Sequence, residues 1–195
     1  DEYIELPSNH KAILFKNFFG RFCFVEALCL SSRYFKNNFN FMTSLITCVD
    51  SSNVDEWVTQ QDVVERKDDL RMSIKGFADE YNDLIVPLMK MDELTEREFH
   101  ALVVLAFCDI DPDLPLPVEI FDYAEKTRLQ VFEEMQDYYR KDQKLKDFSE
   151  RLGNLIMVSH AAGEAGIMMC EELRMYATIF DVYANDRLIC ETFFG

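Results

Sequence analysis

The sequence predicts an all-α fold with one small β-hairpin. Three observations carry that prediction. One is a long apolar segment, Tyr3 to Leu30, broken after Lys16 only by Arg21 and Glu26. A second is the recurrence of apolar side chains at three and four residues from Leu70 to Leu88. The third is a content of only 6 glycines and 5 prolines in 195 residues, which leaves little room for linkers. A helix apolar around most of its circumference must be packed on several sides, so the first segment reads as the middle of the molecule. With 49% apolar residues the chain can bury one sizeable core, and one domain is expected.

In order, Ser8 or Asn9 can cap the first helix, with Pro7 setting its entry angle. Lys11, Lys16, Arg21 and Glu26 lie inside the apolar run and are each expensive in lipid, which argues against a membrane span. Asn37-Asn38 is a turn signal, and Phe39 to Val49 alternates with β-branched residues, giving the hairpin. Residues 50 to 69 are polar around Trp57 and read as a loop with a short helix. From Asp68 or Asp69 a helix runs to about Met91, bent near its end by Pro87.

Thr95-Glu96-Arg97-Glu98 is a capping box that opens a helix through Phe107. The run Asp111 to Pro117 ends that helix and starts another, amphipathic and charged on one face, from Val118 to about Arg140. A longer helix spans about Lys144 to Phe180. The tail from Asn185 to Phe194 forms a short amphipathic helix centred on Glu191, though a frayed terminus is the plainer reading of such a tail.

The formal charge is -16, and residues 1 to 50 are balanced, so the acidic excess lies in the rest. An acidic body repels phosphate backbones and anionic lipid, which excludes direct nucleic-acid and membrane binding by this chain. The 6 cysteines include no Cys-x-x-Cys, so metal-finger spacing is absent and they read as reduced core residues of an intracellular protein. His10, His100 and His160 are far apart, and Glu96 with His100 has no second Glu-x-x-His to complete a di-iron site. Asp68-Asp69 lacks the third Asp of a diphosphate-binding cluster, and there is no Gly-rich phosphate loop. No nucleophile and base pair, and no cofactor, is expected; the chain is not read as an enzyme.

The spacing Tyr3-x-x-Leu6-x-x-x-His10-Lys11-x-x-Leu14-Phe15-Lys16 resembles the signature of nuclear-receptor ligand-binding domains, with His10-Lys11 in place of the usual acidic and amide pair. Glu98-x-x-Ala101-Leu102 through Asp113 resembles the family's eighth helix and the loop after it, and Arg151-Leu152-Gly153-Asn154-Leu155-Ile156 the run that opens its tenth. Leu188-Ile189-Cys190-Glu191-Thr192-Phe193 resembles the activation helix, with Thr192 in one apolar slot. The aromatic richness is similar to the divergent nematode branch.

The resemblance implies a layered helical sandwich with a small β-hairpin, and a partial ligand-binding domain over residues 1–195, from about helix four to the activation helix. Asp1 in place of Met reads as the start of an excised piece without a signal peptide; the DNA-binding module is not in this chain. Coregulators with Leu-rich helical motifs would dock in a groove using Lys16, Leu188, Ile189, Glu191 and Phe193, with Glu191 at the partner helix's positive end and Lys16 at the other. An apolar ligand of the fatty acid or sterol class would touch Gly20, Cys23, Phe24, Ala27, Leu30, Met169, Leu173 and Tyr176. Those side chains could equally fill the core themselves and leave no cavity.

Glu98 and Arg151 are implied partners across the core; on sequence alone, Glu98 is as well read as a simple cap and Arg151 as a surface charge. Homo- or heterodimers would form through residues 144–180, and the protein would work in the nucleus as a ligand-regulated or orphan transcription factor. The alternative is an acidic all-helical protein-interaction scaffold with neither ligand nor switch.

Overall fold

A computed structural model describes residues 5–34, 40–44, 47–50, 56, 66–89, 93–182, 186 and 190–191. Its elements are α1 (Ser8–Tyr34), strands β1 (Asn40–Ser44) and β2 (Thr47–Asp50), α2 (Lys67–Met89), α3 (Glu96–Cys108), α4 (Val118–Asp137), a π-helical turn (Tyr138–Asp142) and α5 (Ser149–Ile179). The molecule is predominantly helical. It divides into two compact units, one made of residues 1–25 and 93–166 and the other of 26–92 and 167–195. Trp57 and the hydrophobic residues of the C-terminal tail, Leu188, Ile189 and Phe193, lie outside the described residues, as does Tyr3.

α1 begins at Ser8 itself, where the Pro7 carbonyl accepts the Lys11 amide at 3.1 Å, so the helix starts a residue earlier than caps at Ser8 or Asn9 would set it. From Gly20 to Ser32 most of its residues are buried, on more than one face, as an apolar helix surrounded by others must be. In the first unit, Ala101, Leu102, Leu105 and Ala106 of α3 and Ile120 and Ala124 of α4 are buried, and Phe18 stacks edge-on with Phe107. Leu155, Val158, Ala161, Ala162 and Ala165, at three- and four-residue spacing, form the buried stripe of α5 in this unit.

Two sequence boundaries move. The helix expected to run from Val118 to about Arg140 leaves α geometry at Asp137 and ends in a π turn, with the Leu145 amide returning to the Tyr139 carbonyl at 3.0 Å. The helix expected from about Lys144 begins at Ser149: Lys144 adopts a left-handed φ of 53°, and the Asp147 carboxylate accepts the Ser149 amide at 2.9 Å, which together stop and restart the chain.

In the second unit, α2 packs Leu70, Ala78, Tyr81, Ile85 and Leu88 inward and continues through Pro87 to Met89. Leu70, Tyr176, Phe180 and Val182 form its apolar cluster, flanked by Ile74 and Met175. α5 closes here: Asp181 takes a left-handed φ of 57° and the Val182 amide returns to the Tyr176 carbonyl at 3.1 Å. The strands pair antiparallel, Asn40 opposite Asp50 and Met42 opposite Cys48, with an irregularity between Met42 and Ser44.

Candidate functional site

The strongest polar centre of the first unit grows from the capping box. Both of its halves form: the Thr95 hydroxyl accepts the Glu98 amide and the Glu98 carboxylate accepts the Thr95 amide at 2.8 Å. A cap of this kind is ordinarily exposed, but Glu98 is only 1% exposed. Arg151, on α5, completes the burial: its Nε donates to Glu98 Oε1 at 2.6 Å and its Nη2 to Oε2 at 2.8 Å, a two-pronged pair that ties α5 to α3. The same guanidinium donates to the Glu93 carbonyl at 3.1 Å. Glu98 is therefore cap and core partner at once, so the two sequence readings describe one residue.

A third donor was not legible. The π turn swings Tyr139 fully inward, where its hydroxyl donates to Glu98 Oε1 at 2.7 Å. The aromatic pair Tyr138-Tyr139 in a run of charges was the available signal. Burial pushes the Glu98 carboxyl up, but the bonds from Arg151, Thr95 and Tyr139 outweigh it and hold the group below its ordinary range. Burial, with the Glu98 bond, pushes the Tyr139 phenol well above its own.

Arg21, the charge inside the apolar helix, also has its answer. Its Nε donates to Asp109 Oδ2 at 2.9 Å, just past the end of α3, and its Nη1 to the Asn17 carbonyl at 2.6 Å. Asn17 in turn donates to the Asp109 carbonyl at 2.9 Å. A buried guanidinium needs such partners; the identity of Asp109 was not readable from the sequence. Two glycines of α5 let this cluster sit close. A Cβ on Gly166 would meet Arg21 Cγ at 2.9 Å and its backbone nitrogen at 3.1 Å, and one on Gly163 would meet Asp109 Oδ2 at 2.9 Å.

Of the residues expected around a ligand, Gly20, Cys23 and Phe24 lie in the first unit; Gly20 and Phe24 are buried and Cys23 half-buried. Ala27, Leu30 and Tyr176 are buried in the second, with Met169 and Leu173 half-buried there. Tyr176 belongs to the apolar cluster with Leu70 and Phe180. Next to it on α5, burial raises the Glu172 carboxyl, opposed by the Tyr176 hydroxyl and reinforced by Glu80. Lys16 is half-buried on α1, and Glu191 is exposed in a helical turn whose Cys190 amide returns to the Asp186 carbonyl at 2.9 Å.

The first unit also holds a cavity of about 190 Å³, and none of the residues expected around a ligand lines it. Leu6 and Leu14 form one wall, Phe107 and Ile110 a second, and Ile120 and Ala124 of α4 the third. Cys108 faces it with a thiol that burial pushes up to about 11. Among the described residues there is no cluster of side chains suited to a metal ion, and no helix is long and apolar enough to cross a membrane.

A family model described as the ligand-binding domain of nuclear hormone receptor matches residues 1–178. The chain is similar to a Caenorhabditis elegans protein, nuclear hormone receptor family member nhr-12, at 23% identity over 186 residues. That alignment covers 94% of this chain and 40% of the relative, so the chain spans less than half of the relative's length.

Proposed function

Because the chain belongs to the nuclear hormone receptor ligand-binding domain family, we propose that it is the regulatory part of a nuclear, ligand-controlled or orphan transcription factor. The observation that carries this reading is the family match across residues 1–178. The chemistry is binding rather than catalysis. A coregulator helix with a Leu-x-x-Leu-Leu motif would lay its apolar face in a groove edged by Leu188, Ile189 and Phe193. Its amino-terminal dipole would be met by Glu191 and its carboxy-terminal one by Lys16.

A ligand acts in such a domain only by binding the groove-complete state more tightly than the incomplete one. The ligand class proposed is an apolar molecule of the fatty acid or sterol type, contacting Gly20, Cys23, Phe24, Ala27 and Leu30 of α1 and Met169, Leu173 and Tyr176 of α5. Dimers would pair through residues 144–180, whose exposed Ile156, Met157 and Ile167 supply apolar surface. The paired strands at 40–50 would correspond to the small hairpin that follows the central helix in this family.

The test is binding of a Leu-x-x-Leu-Leu peptide to the full-length protein, with and without Glu191→Ala. Wild-type binding that weakens by roughly 1–3 kcal/mol in the variant, the scale of a charged hydrogen bond left unmade, supports the groove. Absence of binding by a folded wild type would move the chain to the alternative, an acidic helical scaffold without a switch.

A further inference from the structure

We propose that the cavity between α1, α3 and α4 is a separate small-molecule site, taking a neutral apolar molecule of one or two rings. Its volume is about 190 Å³, and an apolar cavity of about 150 Å³ is enough to hold a benzene-sized guest. The walls offer almost no hydrogen-bonding groups, so a guest gains by apolar contact, and a polar one would lose its water without replacement.

Charge narrows the class. Glu119 and Tyr123 are the polar-bearing side chains of the lining, and both are exposed, which puts them at the mouth. No lining residue is basic. The first turn of α4 would by itself favour an anion, but Glu119 stands in that turn and already supplies the negative charge. The charges around the pocket are nevertheless mixed, because Arg128, itself paired with Glu125, acts on the Cys108 thiol of the lining, so a neutral guest is favoured over both an acid and an amine. Leu14, Ala124 and Cys108 are themselves well buried, so the floor is formed by packed side chains rather than by a surface groove. The site does not depend on the receptor reading, whose expected pocket shares none of these residues.

Benzylamine, toluene and benzoate, nearly equal in shape and different in charge, serve as probes in ligand-observed NMR with this chain. Toluene is expected to bind, and benzylamine and benzoate each at least severalfold more weakly, because each would bring a charge to an apolar lining with no fixed partner for it. Ala124→Leu, which fills the cavity, should abolish toluene binding, with circular dichroism confirming the fold.

Benzoate or benzylamine binding as tightly as toluene, or toluene binding undiminished in a folded Ala124→Leu, overturns the proposal. So does exclusion of toluene by the full-length protein, which would make the cavity a socket for another segment of it. None of these outcomes bears on coregulator binding.

Discussion

Donors from Thr95, Tyr139 and Arg151 converge on one buried carboxylate at Glu98, and only its ionised form accepts them all. Its folded pKa lies below the ordinary 4.5, so the stabilisation is complete above that value and is lost as pH falls through the folded one. Glu98→Gln leaves the Arg151 charge short of its partner, and breaking a buried pair from one side costs about 3 kcal/mol. We expect that loss in urea unfolding at pH 7, with the gap to wild type narrowing as pH drops below 4.5, where the unfolded chain's carboxyl takes up a proton first, and closing once pH passes the lower folded value. A gap that does not change with pH would mean the residue matters for its shape and not its charge.

Between elements, distance of approach decides. α5 carries Gly153, Gly163 and Gly166, and a helix-interior glycine is ordinarily worth about 1 kcal/mol less than alanine. Nothing lies within 4 Å of a Cβ at Gly153, so Gly153→Ala should stabilise by roughly that amount. At Gly166 the obstacle includes the backbone of α1, which cannot turn aside as a side chain can. Gly166→Ala should therefore destabilise by about 1–3 kcal/mol, the usual cost of overpacking. Thermal unfolding of the two variants checks both signs, and equal effects would show that α1 and α5 are not held by this contact.

Such contacts also mark where sequence reading stops. The spacing of Leu70 to Leu88 and the Thr95-x-x-Glu98 pattern are local, and they placed α2 and α3 within a residue or two at the described ends. Arg21 counted in the sequence only as a charge against a membrane span; its partner Asp109 lies 88 residues away, and no local rule links them. The π turn that buries Tyr139 is a tertiary compromise inside a stretch whose helix propensity is unbroken, so the sequence carried α4 into it, to about Arg140. The cavity beside Ala124 is a failure of three elements to fill space, which no single stretch encodes.

For the molecule as a whole, the charge of -16 sets a repulsion that the fold has to oppose. Exposed ion pairs such as Arg66 with Asp69, Arg97 with Asp142 and Lys141 with Asp137 offset little, because solvated pairs are worth about 0–1 kcal/mol each. Salt acts on these two effects in opposite directions. Raising it from about 0.01 to 0.15 M shortens the screening length from about 30 to 8 Å, which removes long-range repulsion across the acidic surface. It weakens the exposed pairs too, but leaves the buried Glu98 and Arg151 pair nearly intact. The repulsion is the larger quantity, so the melting temperature should rise with salt over this range. A fall would mean that surface pairs, and not the packed core with its buried Glu98 carboxylate, carry the stability of this acidic chain.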